Sequence, residues 1–425
     1  MKKIFTLTAL SLILASTNAN AAGFHLREQS GAGLGNAFAG ATAGAEDISY
    51  AYFNVAGLTR HQGTQMNLGA TYIAPEARAR NIVSSTTDEE AGVDNIVHAA
   101  VAPNMAFSHQ LNDKTTLALG VNVPFGMVTK YDDRNWAGSG HGLTSKVTVV
   151  TTTPMVAYKV NDKLSIGAGL PIQYFKAKLS NGVPKTSGAT GEATYTKIEG
   201  DTVDVGYQLG AMYEFNENTR VGINYRSEIN HKLKGEIESK NIGNLGDPLG
   251  AMSPILNQDI SARIDTPAML SVGAFHKIND KWEVMAEYQK VFWNSFDSID
   301  IYGRENGGNP ATGVQGLIST TPEHWEDTDF YAVGASYNLD DKWKLRFGLA
   351  YDDSAVRKDY RTPRIPDSRR VWYSTGASYK YSENLTFNAA YTFIKAEEAE
   401  IDLEGVHAEY KNQVHIVGLS MNYKF

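Results

Sequence analysis

The chain closes with Val417-Gly418-Leu419-Ser420-Met421-Asn422-Tyr423-Lys424-Phe425. Counting back from Phe425, every second residue is apolar (Phe425, Tyr423, Met421, Leu419, Val417), and those between are polar or small. A strand greasy on one face to its last residue requires lipid or a core outside it and a wetter space within. An aromatic at the end of such a strand is what outer-membrane barrels offer for insertion. Phe425 therefore names barrel-assembly machinery as an expected partner. The stretch predicts a transmembrane β-barrel.

Working back from it, one short polar punctuation recurs: Leu111-Asn112-Asp113-Lys114, Val160-Asn161-Asp162-Lys163, Phe215-Asn216-Glu217-Asn218, Ile278-Asn279-Asp280-Lys281, Leu339-Asp340-Asp341-Lys342 and Tyr381-Ser382-Glu383-Asn384. Asn and Asp suit tight turns because their side chains bond nearby backbone. Alternating segments flank each turn. Tyr331, Val333, Ala335, Tyr337 and Leu339 form a face before the fifth turn, and Trp343, Leu345, Phe347, Leu349 and Tyr351 the matching face after it. Six turns join twelve strands, a segment from near Thr64 adds a first, and the C-terminal stretch adds a last. The prediction is all-β: a 14-stranded antiparallel barrel with both ends on the periplasmic side. Connections of about 20 to 45 residues between the pairs are expected as extracellular loops.

Composition agrees. Only alternate residues of a barrel face lipid, so a hydrophobic fraction of 42% is compatible with a membrane protein. The 22 Tyr, 16 Phe and 6 Trp are enough for two interfacial girdles. No later stretch approaches the ~18 apolar residues of a membrane helix. Cysteine is absent, which excludes disulfides and thiolate metal sites. A formal charge of −8 argues against nucleic acid. Met1-Lys2-Lys3, the apolar run Ile4 to Ala15, and Ala19-Asn20-Ala21 form a secretory signal peptide over 1–21.

Residues 22 to about 60 do not alternate and are rich in small side chains from Gly31 to Gly40. A phosphate loop would need a strand before it and a helix after it, so a small N-terminal hatch inside the lumen is the better reading. The expected organisation is a signal peptide at 1–21, a hatch at 22–60 and a barrel at 61–425.

Ala22-Gly23-Phe24-His25-Leu26-Arg27-Glu28, Gly33-Leu34-Gly35, Asn54-Val55-Ala56-Gly57-Leu58, Thr266-Pro267-Ala268 leading into the eighth strand, and Tyr360-Arg361-Thr362-Pro363-Arg364-Ile365-Pro366-Asp367-Ser368 before the twelfth form a set of motifs. Together they resemble the FadL family of outer-membrane long-chain fatty-acid transporters. The resemblance spans nearly the whole mature chain and implies a 14-stranded barrel closed by a hatch. It implies that Ala22, Gly23 and Phe24 lie beside the cargo. The family's hatch motif is Asn-Pro-Ala. Here Val55 stands between Asn54 and Ala56, which gives up a fixed φ and restores a backbone donor.

A hydrophobe crossing such a membrane needs a greasy site of capture, an apolar pocket and an exit that avoids water. For capture, the loop at about 227 to 266 carries Leu249, Met252, Ile255 and Leu256, an apolar cluster that either binds cargo or packs on a neighbouring loop. For exit, the third strand contains Asn122-Val123-Pro124-Phe125-Gly126. Proline lacks a ladder donor and glycine permits a bulge. In the FadL family a kink at the matching place opens the wall sideways and the hatch motif contacts it. The resemblance thus makes Pro124, Phe125 and Gly126 a kink, with Asn54, Val55 and Ala56 as its gate. Lys176, Lys178, Arg361, Arg364, Arg369 and Arg370 are read as loop charges, and none is named as a headgroup anchor.

Three rivals are open. An enzyme would need more than ten scattered histidines without His-Glu-x-x-His or Gly-x-Ser-x-Gly. An aqueous porin would carry a charged constriction loop and no hatch. An adhesive surface protein would leave no clear mark. The expectation is a non-enzymatic channel, monomeric in outer-membrane lipid, without cofactor or metal. It would pass long-chain fatty acid down its gradient, or alternatively aromatic hydrocarbon.

Overall fold

A computed structural model describes residues 23–84, 87–93, 95–134, 136–182, 195–240, 257–303, 316–403 and 405–425. The expected signal peptide, Ala22, and the loop cluster Leu249, Met252, Ile255 and Leu256 lie outside the described residues.

The described strands form one antiparallel sheet of 22 hydrogen-bonded segments. Seven consecutive pairs of segments are single wall strands with an interruption, and Thr87–Val93 folds back on the end of the first strand. Fourteen wall strands remain. They are β1 Thr64–Ser84, β2 Ala100–Asn112, β3 Thr115–Lys130, β4 Thr144–Lys159, β5 Leu164–Gly169 with Ile172–Gly182, β6 Tyr195–Val205 with Gln208–Glu214, and β7 Thr219–Arg226 with Ile229–Lys240. Next come β8 Gln258–Thr266 with Met269–Lys277, β9 Trp282–Val291 with Ser298–Gly303, β10 Leu317–Pro322 with Thr328–Asn338, and β11 Trp343–Asp352. The ring ends with β12 Arg370–Lys380, β13 Leu385–Ala396 with Ala399–Leu403, and β14 Val406–Lys424. β1 pairs with β14 from Gln65↔Lys424 to Ser84↔Val406, which closes the cylinder.

Each of the six turns read from the sequence joins two wall strands. In five of them the first Asn or Asp accepts two backbone N–H groups, as Asn161 Oδ1 does from Lys163 and Leu164 at 2.9 Å each. In the sixth, Ser382 Oγ accepts from Asn384 at 3.3 Å. The outward alternation holds: Tyr331, Val333, Trp343, Phe347, Leu349, Tyr351 and Leu419 are exposed although apolar. Aromatics cluster near the turns (Trp343 on Tyr379, Tyr423 on Phe425) and again further up the wall (Tyr288 on Tyr331, Tyr207 on Tyr225).

Three expectations need correction. The long connections are shorter than 20 to 45 residues because pairing continues beyond the apolar band; the loop placed at 227 to 266 is mostly β7 and β8. Lys176 and Lys178 lie within β5 and not after it. Thr266-Pro267-Ala268 interrupts β8 and does not lead into it, because Pro267 has no N–H for the ladder.

Residues 23–60 carry two short helices, α1 Gly31–Leu34 and α2 Ala41–Gly44, and 3-10 turns at Ile48–Tyr52 and Val55–Arg60. Helices this short have little stability of their own, so side chains cap them and the wall receives them. Ser30 caps α1, Asp47 and Asn54 cap the 3-10 turns. Asn36 Nδ2 donates to Ala335 O and Phe347 O, and Arg220 donates to Ala43 O and Gly44 O. At Gly222 a Cβ would stand 2.0 Å from Thr42 O, so glycine there is what lets α2 lie against the wall.

Candidate cargo pocket and wall opening

The third strand departs from regular pairing between Asn122 and Phe125. Against β4 it runs Asn122↔Thr151 and then Phe125↔Val149, which is one extra residue on β3 and therefore a bulge. On its other edge, pairing with β2 stops at Met105↔Val121. The backbone beyond Val121 would be left without partners in a place where water is scarce. The N-terminal segment supplies them. Leu26 N donates to Pro124 O at 2.8 Å, Gly126 N donates to Phe24 O at 2.9 Å, and His25 bridges Phe125. The Gln29 amide completes the seam: Nε2 donates to Val123 O at 2.7 Å and Oε1 accepts from Val123 N at 3.1 Å. A length of the wall's hydrogen bonding is thus held by residues 24–29 and not by the neighbouring strand.

This pairing delivers Phe24 into an aromatic cage. Its ring centroid lies 4.9 Å from Trp293, 5.7 Å from Phe125, and 5.8 Å from both Phe296 and Trp325, mostly in tilted or edge-on contact. Trp293 and Phe296 come from the interruption of β9, Trp325 from that of β10. Phe24 is 2% exposed, and its cluster continues upward through Phe175, Leu233 and Ile264. Gly23 precedes it with φ 62°, and a Cβ there would sit 2.3 Å from Trp325 Cζ3. Only glycine fits that corner. Gly23 N donates to Asp367 Oδ2 at 3.1 Å.

Asp367 belongs to the 353–369 connection, which crosses the barrel mouth. Tyr131 OH of the β3–β4 connection donates to Pro363 O at 3.0 Å, and Arg364 donates to Ser145 Oγ of β4 at 2.8 Å. On the far side, Asn412 Nδ2 of β14 donates to Pro366 O at 2.7 Å. Burial lowers the pKa of the Arg364 guanidinium to about 10, with Glu323 opposing. Burial raises that of Asp367, against Arg370 and the Gly23 N–H. Arg370, in turn, lies 3.4 Å from Asp352 and 3.5 Å from Asp367, while Arg27 lies 3.8 Å from Asp352.

Pro124, Phe125, Gly126, Gly23 and Phe24 therefore meet at one place. Asn54, Val55 and Ala56 stand elsewhere: the Asn54 amide donates to Thr42 O at 2.8 Å and to Ala211 O of β6 at 3.0 Å, and its Oδ1 accepts from Ala56 N at 3.0 Å. The 3-10 turn they open packs on β3 to β6, with Val55 in one apolar cluster with Ala106 of β2 and Met155 of β4, and the segment paired to the kink is Phe24–Gln29. Val55 opens a 3-10 turn, the position where proline is most at home and an N–H matters least, so valine is accommodated. Trp293, Phe296 and Trp325 were not read from the sequence. The available signal was loss of alternation at Phe292-Trp293-Asn294-Ser295-Phe296 and Pro322-Glu323-His324-Trp325.

A closed 14-stranded antiparallel barrel, whose wall pairs at a kink with the chain's own N-terminal segment, defines a class: the outer-membrane β-barrel. The comparisons place the chain within it. Residues 12–425 match the family described as outer membrane protein transport protein (OMPP1/FadL/TodX), and the chain belongs to that family. It is 28% identical to a long-chain fatty acid transport protein of Escherichia coli O6:H1, over 100% of this chain and 99% of the relative. It is 30% identical to the putative outer membrane protein NMB0088 of Neisseria meningitidis, over 99% and 98%. The fold matches a FadL homologue of Pseudomonas aeruginosa (TM-score 0.84, 24% identity, 95% of this chain and 100% of that one). It also matches the Pseudomonas putida toluene transporter TodX (TM-score 0.69, 18% identity, 95% and 99%). The chain is an outer-membrane protein, and its relatives are transporters and channels.

Proposed function

We propose that this protein takes up long-chain fatty acid passively. Cargo is held among the aromatics around Phe24 and leaves sideways through the wall at the kink of β3. Residues 22–60 act as the hatch that keeps the lumen closed to water. The observation that carries this reading is the seam in which Phe24–Gln29 occupies the free edge of β3. A ligand that takes the place of the Phe24 ring in its cage pulls on the same backbone that seals the wall. Each methylene moved from water to such a cage contributes ~0.8 kcal/mol, so an acyl chain has enough driving force to displace one side chain.

Asn54 to Ala56 act as the anchor from which the hatch holds its N-terminal arm, and Phe425 as the signal for barrel assembly. A monomer suffices, since cage, kink and hatch all lie within one chain. Aromatic hydrocarbon is the second reading, favoured by the ring-lined cage and by the toluene transporters among the structural relatives. Labelled uptake of oleate and of toluene, in cells with and without the gene, decides between them. Gene-dependent oleate uptake is expected. Gene-dependent toluene uptake alone would transfer the assignment to hydrocarbon, and uptake of neither would end the hydrophobe reading.

A further inference from the structure

A buried cation lies below the aromatic cage. Arg226 ends the first half of β7, is 6% exposed, and no carboxylate among the described residues approaches it to ion-pair distance. Its Nη2 donates to Tyr52 O and to Gln208 Oε1, both at 3.0 Å, and its guanidinium lies 4.1 Å over the Tyr52 ring. Its Nε and Nη1 make no hydrogen bond among the described residues. A guanidinium taken out of water without a counter-charge is costly, and such a charge persists where something else is to meet it.

A second observation points to what that is. Beside the acceptor Glu28 Oε2, three polar atoms in the neighbourhood are buried without a partner among the described residues: His25 Nε2, Tyr52 OH and Arg27 Nε. His25 and Tyr52 both lie within electrostatic reach of Arg27 and Arg226. Burial and those cations keep the His25 imidazole neutral, so it can offer one N–H. Asp352 pairs with Arg27 at 3.8 Å and Glu28 lies within electrostatic reach of Arg27 and Tyr52, but neither acid pairs with Arg226. Unsatisfied donors around a lone guanidinium form a site for a carboxylate, the anion whose two oxygens match a guanidinium fork. His25 follows Phe24 directly in the chain, so this polar floor adjoins the cage.

We propose that Arg226, with Tyr52 and His25, receives the carboxylate of an acyl cargo whose chain lies among Phe24, Trp293 and Trp325. The inference rests on the uptake reading above and names the side chains that hold the head of its cargo.

The test is binding to purified barrel in detergent, with oleate and oleyl alcohol as probes of equal chain and different head. Wild type is expected to bind oleate more tightly than the alcohol. Arg226→Met is expected to weaken oleate about tenfold to a hundredfold and leave the alcohol within about twofold, as loss of a charge-assisted pair requires. Arg226→Lys should recover part of the loss. Tyr52→Phe, which deletes a single hydroxyl, should weaken oleate several-fold, and it keeps the test sharp if the Arg226 variant does not fold. Folding is read from heat-modifiable gel mobility. Equal loss for both probes would make Arg226 a mere clamp on Tyr52, and unchanged oleate binding would remove it from the site. Either result overturns the anchor while leaving uptake intact, whereas a wild type that binds neither probe overturns the uptake reading itself.

Discussion

The half of the barrel near the tight turns and the half above it solve the same problem in opposite ways. Near the turns the ladders run without a break, as from Trp343↔Tyr379 to Asp352↔Arg370 and from Leu385↔Tyr423 to Lys395↔Gln413. The backbone there satisfies itself, so the lumen face can be polar: Ser336, Arg346, Ser378, Asn388 and Ser420 are buried and bond one another or the hatch. Higher up, interruptions face one another across the sheet, with 170–171 beside 206–207, 227–228 beside 267–268 and 292–297 beside 323–327. Between β6 and β7 no backbone pairing joins 202–205 to 228–233, and His231 bonds the Asp204 carboxylate at 3.0 Å across the gap. Where the ladder lapses, consecutive residues can turn inward, and the lumen fills with Phe125, Trp293, Phe296 and Trp325. The regular half receives residues 31–60 and the irregular half holds the aromatic cage around Phe24. Parts meant to move belong where pairing is weakest.

The sharpest way to break this contrast is to make the upper half regular. Pro124→Val with Gly126→Val returns a donor to β3 and removes the flexible corner, so that β3 can pair with β2 beyond Val121. Uptake should fall to the background of a strain lacking the gene, while heat-modifiable mobility stays that of a folded barrel. A folded double mutant with normal uptake would remove the lateral exit.

The complementary change loosens the lower half. Glu46 of the N-terminal segment lies 3.1 Å from Lys344 and 2.7 Å from Arg346, and Lys344 also reaches Glu283 at 2.9 Å. Burial pushes the Glu46 carboxyl up, but the two cations overcome this and hold it well below the usual carboxylate range. A cavity of about 230 Å³ at the turn-side mouth reaches this cluster. Arg346→Met removes the better buried partner and should cost the seating of the hatch about 3 kcal/mol, the usual penalty for stranding one member of a buried pair. Amide exchange across 31–60 should quicken in the variant, with uptake changed far less than by the kink substitutions. Unchanged exchange would show that the cluster does not hold the hatch.

How far the sequence discloses this arrangement follows from the same contrast. In the regular half, each strand repeats with period two and each turn carries its own Asn or Asp, so position in the chain dictates facing. Val333 and Leu349 were assigned to lipid from spacing alone. In the irregular half, facing depends on which partner takes up an unpaired edge, and that partner lies far away in sequence. Pro124 announces a lapse in pairing, but nothing local says that Leu26 N, 98 positions earlier, will bond its carbonyl. Trp293 and Trp325 read as girdle aromatics until the interruptions that carry them are seen to face each other. Arg226 looks like any strand arginine, because its lack of a counter-ion is a property of the lumen. Resemblance to a family pointed to Pro124–Gly126 and to Gly23 and Phe24, which the structure brings together, and to Asn54–Ala56, where Asn54 bonds β6 while Phe24–Gln29 bond β3.

The finest test falls at the boundary between the halves, on Glu28. It is buried, and its Oε2 has no hydrogen-bond partner among the described residues. Burial raises its pKa to about 7, with Arg27 and Arg370 offsetting part of the effect. Released from the lumen, the same carboxyl would titrate near its ordinary 4.5. The seated form thus binds the proton more tightly, and its advantage is complete below pH 4.5 and shrinks as pH rises toward 7. The full difference corresponds to about 3 kcal/mol as an upper bound. Asp367 shifts the same way, while Glu46 shifts the other way and weakens the hatch only in acid. The comparison that isolates Glu28 is therefore wild type against Glu28→Gln. Amide exchange of residues 24–30 should speed up between pH 5 and pH 8, after correction for the intrinsic rate, and the variant should lose most of that slope. Identical slopes would mean that Glu28 keeps its charge, or its proton, through release. The seam would then owe its hold to the hydrogen bonds of β3 alone.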